Sequence, residues 1–240
     1  MSAPWARAPT LLALTPLAPA ISLLPGGRWA FPLLAPLTLW PLFASAVRSA
    51  AYRRALGAGL VWVALLSAGV VLYTETAPAA AGARILNAEP YRAEMFRWIE
   101  TGEGKENEPR RFLPEHALHL AAFCLLTVAS GGYLGLAMGA ALVSYMSYFV
   151  GSFALSSGMP VAGALIAWVP WSIVRVIAFV ALGAVLARPV LAGWSAAFSA
   201  RERRWMLAAC GGIAVDLVVK TLLAPEYGLL LRGILSGAAR

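Results

Sequence analysis

Charge is scarce in this chain. Lys, Arg, Asp and Glu together make up 12% of the 240 residues while 60% are hydrophobic, against about a quarter charged in soluble globular proteins. With a mean hydropathy of +0.74, that scarcity excludes the soluble class and indicates an integral membrane protein. Single residue types are rarer still. Asp216 is the only Asp, Lys105 and Lys220 the only Lys, His116 and His119 the only His, and Cys124 and Cys210 the only Cys. Both cysteines fall in apolar stretches and neither belongs to a Cys-x-x-Cys, so a disulfide framework and a thiolate metal site are excluded. One Asp cannot make an aspartyl pair. Glu115-His116-Ala117-Leu118-His119 carries its Glu ahead of both histidines, where a zinc protease helix needs it between them. Ser156-Ser157-Gly158 lacks the preceding glycine of a serine intramembrane protease, and no G-x-x-x-x-G-K-[ST] is present to hold ATP phosphates.

What is there is arginine, alanine, glycine and proline in excess, the usage of a high-G+C genome, which points to a bacterial inner membrane. The net charge of +8 does not indicate nucleic acid, because no basic stripe is interleaved with aromatics. The charges sit at the ends of apolar segments, as positive-inside topology requires. From Glu75 to Glu115 the chain has eight Glu against six basic residues, a net of −2; the rest carries +10. That segregation puts residues 75–114 on the outer side.

The apolar pattern predicts an all-α polytopic bundle of six or seven segments, about 8–24, 29–47, 55–74, 115–131, 133–155, 160–187 and 205–224, each judged against roughly twenty residues for a crossing. Residues 8–24, broken by Pro16 and Pro19, read as a signal peptide, a short span or a half-span. Within the outer loop, Tyr91, Met95, Trp98 and Ile99 fall at helical spacing between Pro90 and Gly102. They predict a short amphipathic helix on the membrane surface or over the bundle, followed by a mobile link. Arg188, Arg201, Arg203 and Arg204 mark 188–204 as cytoplasmic, with an interfacial helix around residues 194–198. The tail from Tyr227 reads as a second interfacial helix. No internal repeat is found.

Three groups could carry chemistry. Arg175 and Asp216 lie in consecutive antiparallel segments at matching depth, predicting a buried ion pair with Lys220, one turn from Asp216, competing for the carboxylate. Glu115, His116 and His119 open the helix that returns from the outer loop. Their spacing would let them share a divalent transition metal, with Glu103, Glu106, Glu108 or Glu226 completing it. Offsets of seven, eleven and fourteen from His116 place Phe123, Thr127 and Ser130 on the histidine face, a polar stripe that should face protein or a water-filled cavity. Arg110 and Arg111, just ahead, could hold an anionic headgroup. In the next helix Gly131, Gly135, Gly139, Ser147 and Gly151 follow a four-residue period suited to close packing. The partners implied are the lipid bilayer and other membrane subunits. Two functions fit: a non-enzymatic transport or membrane-complex subunit built around the Arg175/Asp216 pair, and a metal-dependent enzyme acting at the outer face on a lipid-linked or membrane-embedded substrate.

Overall fold

The computed structural model describes residues 3–194 and 199–238. The expected interfacial helix around 194–198 lies, apart from Trp194, outside the described residues. Among those residues there is no strand, and the chain is an all-α membrane bundle. The helices are α1 (Ala3–Ala6), α2 (Ala8–Ala13), α3 (Gly27–Leu34), α4 (Trp40–Arg48), α5 (Tyr52–Thr76), α6 (Pro78–Arg84), α7 (Ala88–Thr101), α8 (Pro109–Ser130), α9 (Tyr133–Ser157), α10 (Pro160–Ala167), α11 (Pro170–Ala192) and α12 (Ala200–Ala238), with 3-10 helices at Thr15–Leu23 and Ala35–Thr38. Five of them, α5, α8, α9, α11 and α12, are long and apolar enough to cross a membrane. Residues 27–48 make a sixth crossing if the two arms, bent by 48°, count as one.

Proline sets several of these boundaries. It opens α6, α8, α10 and α11 within their first turn, where its missing N–H costs no helical hydrogen bond. Pro170 therefore does not kink one long segment over 160–187. It starts a new helix after the extended residue Val169, leaving α10 as a separate short piece. Residues 8–24 are not among the helices long and apolar enough to cross. They form α2 and a nine-residue 3-10 helix, and the latter lies so close to α5 that a Cβ on Gly69 would collide with the Pro16 carbonyl oxygen. The turn between α8 and α9 is made by Gly131 and Gly132, with φ of 61° and 102°, values that glycine alone adopts cheaply in succession.

At one end α7 lies over the bundle as a cap. Met95, Trp98 and Ile99 turn inward together and bury against Phe149 and Phe153 of α9, Trp171 of α11 and Leu231 of α12. The link 102–108 is held by named bonds where a mobile segment was expected. Trp98 Nε1 donates to Asn107 Oδ1 (2.9 Å), and Asn107 Nδ2 donates to the Gly102 carbonyl (2.6 Å). The tail beyond Pro225 is not a separate interfacial helix. α12 continues through it for 39 residues, about 58 Å at 1.5 Å each. Gly228 lies under the Trp98 indole, and Arg232 donates to the Ile99 carbonyl (2.7 Å).

At the opposite end Glu202 gathers the chain. Its carboxylate accepts from the Tyr52 hydroxyl (2.7 Å) and pairs with Arg188 Nε (3.2 Å), and Arg188 also donates to the Val47 carbonyl (2.6 Å). The α4–α5 turn is thereby tied to α11 and α12.

Candidate functional site

Arg175 stands five residues after the start of α11, near the cap, because the helix begins at Pro170 and not at Pro160. It meets Asp216 of α12 bidentately, Nε to Oδ2 at 2.8 Å and Nη2 to Oδ1 at 3.1 Å. This fork geometry is the strong form of the pair. Asp216 has 0% of its side chain exposed, whereas Arg175 keeps 25% accessible. Lys220 does not compete for Asp216. Its ammonium bonds Glu106 Oε1 (3.0 Å) and lies 4.3 Å from the centre of the Phe112 ring. Glu106 is further fixed by Trp171 Nε1, which donates to Oε2 (3.1 Å). One loop carboxylate thus fastens the link to α11 and α12 at once.

The histidine face of α8 points at this pair. His116 is nine-tenths buried, its Nε2 lies 3.7 Å from Asp216 Oδ2, and that nitrogen has no hydrogen-bond partner. The Phe179 ring meets its imidazole edge to face, 6.2 Å between centroids. Further along, Phe123 is buried and Thr127 is fully buried with its hydroxyl oxygen also unpartnered. Ser130 leaves the stripe to cap the turn, donating to the Leu126 carbonyl (2.6 Å) and accepting from Leu134 N (2.8 Å).

Two cavities meet here. A polar vestibule of ≈ 280 Å³ lies under the cap among Glu94, Lys105, Glu106, Glu115, Arg175 and Lys220. Beneath it an apolar chamber of ≈ 100 Å³ runs along α8 past Phe123 to Thr127, walled by Phe43, Trp62 and Leu136. His116, His119, Tyr145, Met146 and Arg175 line both. His116 to Thr127 is eleven residues, about 16 Å of helix. Tyr91 of the cap packs at a tilt against Tyr145, 4.7 Å between centroids, so the cap bears directly on the junction.

Several expected site residues stand apart from it. Glu115, His116 and His119 do not converge: Glu115 pairs with Lys105 (2.7 Å), which also reaches Glu94 (3.4 Å), while His116 turns to Asp216. Among the described residues no three His, Cys, Asp or Glu side chains gather to hold a metal ion, so the metal-site reading loses its ligand set. Arg111 pairs with Glu108 at 2.7 Å on the exterior, and Arg110 is likewise exposed; neither lines the cavities where a headgroup would be held. The small-residue period is divided among four surroundings. Gly151 and Ser147 meet Thr74 and Ser67 of α5, Gly135 meets Thr127, Gly131 makes the turn, and Gly139 opens onto the chamber with nothing within 4 Å of a Cβ placed there.

Sequence reasoning does not distinguish two further carboxylates, Glu106, which lines the vestibule, and Glu89, which lies outside its lining. Glu106 is one of several loop glutamates, and nothing local marks it as the one that enters the bundle. Glu89 of α7 accepts a hydrogen bond from the Tyr148 hydroxyl and pairs with Arg92 (2.9 Å). The Tyr148 bond chiefly holds the Glu89 carboxyl below its ordinary range, against the opposing effect of burial, and Arg92 adds to the lowering. Lys105 is raised above its ordinary range, first by its hydrogen bond to Glu115. No family model, curated protein or solved structure matches the chain.

Proposed function

We propose that the chain is a non-enzymatic subunit of a bacterial inner membrane, acting in transport or within a membrane complex, and that it binds its ligand beneath the cap with residues 75–114 on the outer side. The observation that carries this is Arg175, paired bidentately with Asp216 yet still accessible from both cavities. A pair that only pinned two helices would be sealed by packing. Buried polar atoms are normally bonded, and the unpartnered His116 Nε2 beside this guanidinium supports a ligand-binding site. Ionisable groups inside a membrane bundle mark ligand or ion pathways by default.

The test is thiol accessibility. With Cys124 and Cys210 replaced by Ser, a His119→Cys variant in intact cells reacts with a membrane-impermeant thiol reagent from the outer side. If the introduced thiol is silent from both sides of sealed vesicles while remaining reactive in detergent-unfolded protein, the cavity is a closed packing void and the reading fails.

A further inference from the structure

Three cations line the vestibule, and each already has its carboxylate. Lys105 is matched by Glu115 and Glu94, Lys220 by Glu106, and Arg175 by Asp216. The last two pairs are buried on both sides or nearly so. A charged ligand head would have to break one of them and strand the displaced partner in a desolvated place. An uncharged head meets no such obstacle. Asp216 engages two of the five N–H groups of Arg175, and Tyr145, His119 and the unpartnered His116 Nε2 surround the same junction. These groups suit oxygen atoms that accept hydrogen bonds.

Below the junction the space is apolar and, at ≈ 100 Å³, smaller than a cavity that holds benzene, so it takes only the first few carbons of one slender chain. The chamber also has a side wall toward lipid. A groove of ≈ 660 Å³ runs between α5, α9, α10 and α11, with Leu72, Val161 and Leu165 on its exposed lining. Groove and chamber share Val63 of α5 and Val176 of α11. These two valine side chains stand between the chamber and the groove. The route from lipid to water-facing donors runs groove, valine wall, chamber, junction, vestibule.

Resting on the binding-site reading above, we infer that the junction binds a single-chain amphiphile with an uncharged, oxygen-bearing head, admitted from the bilayer between α5 and α11. Its oxygens bond Arg175, Tyr145 and the histidines, the first few carbons of its chain fill the chamber, and the remainder passes between Val63 and Val176 into the groove. Carbonyl oxygens of a quinone or hydroxyls of a monoacylglycerol supply the same chemistry.

Purified protein in detergent is titrated with a decyl-substituted benzoquinone, with monodecanoylglycerol and with decanoate, all of matched chain length, and binding is read by native mass spectrometry and thermal shift. One or both neutral probes bind, which identifies the head, and decanoate binds at least about tenfold more weakly. Gly139→Leu fills the chamber from a helical position where a Cβ meets nothing within 4 Å. It therefore keeps the wild-type elution volume and helicity while losing at least about tenfold in affinity for the neutral probe. Widening the wall with Val63→Ala and Val176→Ala speeds uptake in stopped flow. Decanoate binding as tightly as the neutral probes overturns the uncharged head, and an uptake rate unchanged by the alanines overturns the lateral route. Absence of binding by every probe, with the His119→Cys thiol still reactive from outside, overturns this inference and leaves the proposed function standing. A silent thiol in that variant removes both.

Discussion

Asp216 carries a carboxylate with 0% exposure, and a charge so placed is tolerable only while its partner remains. Arg175→Leu leaves it stranded, at a cost of about 3–5 kcal/mol, whereas Arg175→Leu with Asp216→Leu removes both charges and costs less than the single change. Denaturant titration in mixed micelles reads the difference; equal losses would remove the pair from the bundle's energetics. The same scale explains why Lys220 does not pair with Asp216. Both Asp216 oxygens are already engaged by Arg175, while Glu106 meets the ammonium at 3.0 Å with the Phe112 ring beneath. At the cap, Glu89 and Lys105 titrate in opposite senses. The Glu89 carboxyl lies below its ordinary 4.5, so its contribution to cap docking is complete above that value and is lost as pH falls through the lowered one. Lys105 lies above its ordinary 10.5, so its contribution is complete below that value and is lost as pH rises through the raised one. Tyr148→Phe removes the main cause of the Glu89 shift and flattens the acid side of stability measured against pH. An acid limb as steep as in wild type would show that another group carries it.

The decisive element is α12, whose length of about 58 Å exceeds the roughly 30 Å of hydrocarbon. Its final turns serve as the post on which α7 rests. Gly228 is where they touch, since a Cβ there would lie 3.2 Å from the Trp98 indole. A Gly228→Leu side chain has no room and lifts the cap. Amide exchange in α7 and the link 102–108 then rises, while α8 and α9 stay protected; unchanged exchange in α7 would mean that Trp171 and Phe149 hold the cap without α12. Helix α8 shows the complementary case. Its His116, His119, Phe123 and Thr127 stripe lines the cavity as the 3.6-residue period requires, because lipid offers those polar atoms nothing.

Over the whole molecule, charge is sorted by end. The cap end holds the acidic loop, and the far end holds Arg48, Arg53, Arg54 and Arg188 around the buried Glu202. That arrangement supports the cap facing outward, and the side from which the His119→Cys variant is labelled reads it directly. The all-α membrane class was legible in composition and apolar run length alone, because desolvating a backbone leaves helices as the solution for such runs. The facing of the α8 stripe and the meeting of Arg175 with Asp216 were legible too, the first from helical period and the second from the expense of solitary charges in lipid. Three things were not. Proline at 170 reads identically as a kink or a first residue, and only packing made it a start, which moved Arg175 from the middle of its segment to the mouth. Proline at 225 reads as a stop, yet the contacts of Gly228 and Arg232 with the cap carry α12 through it. Which loop glutamate would enter the bundle depended on the approach of Trp171 and Lys220, 65 and 114 residues away. Local residue chemistry determined what each helix could tolerate; only the tertiary structure decided which groups it would meet, because those partners are set by long-range packing.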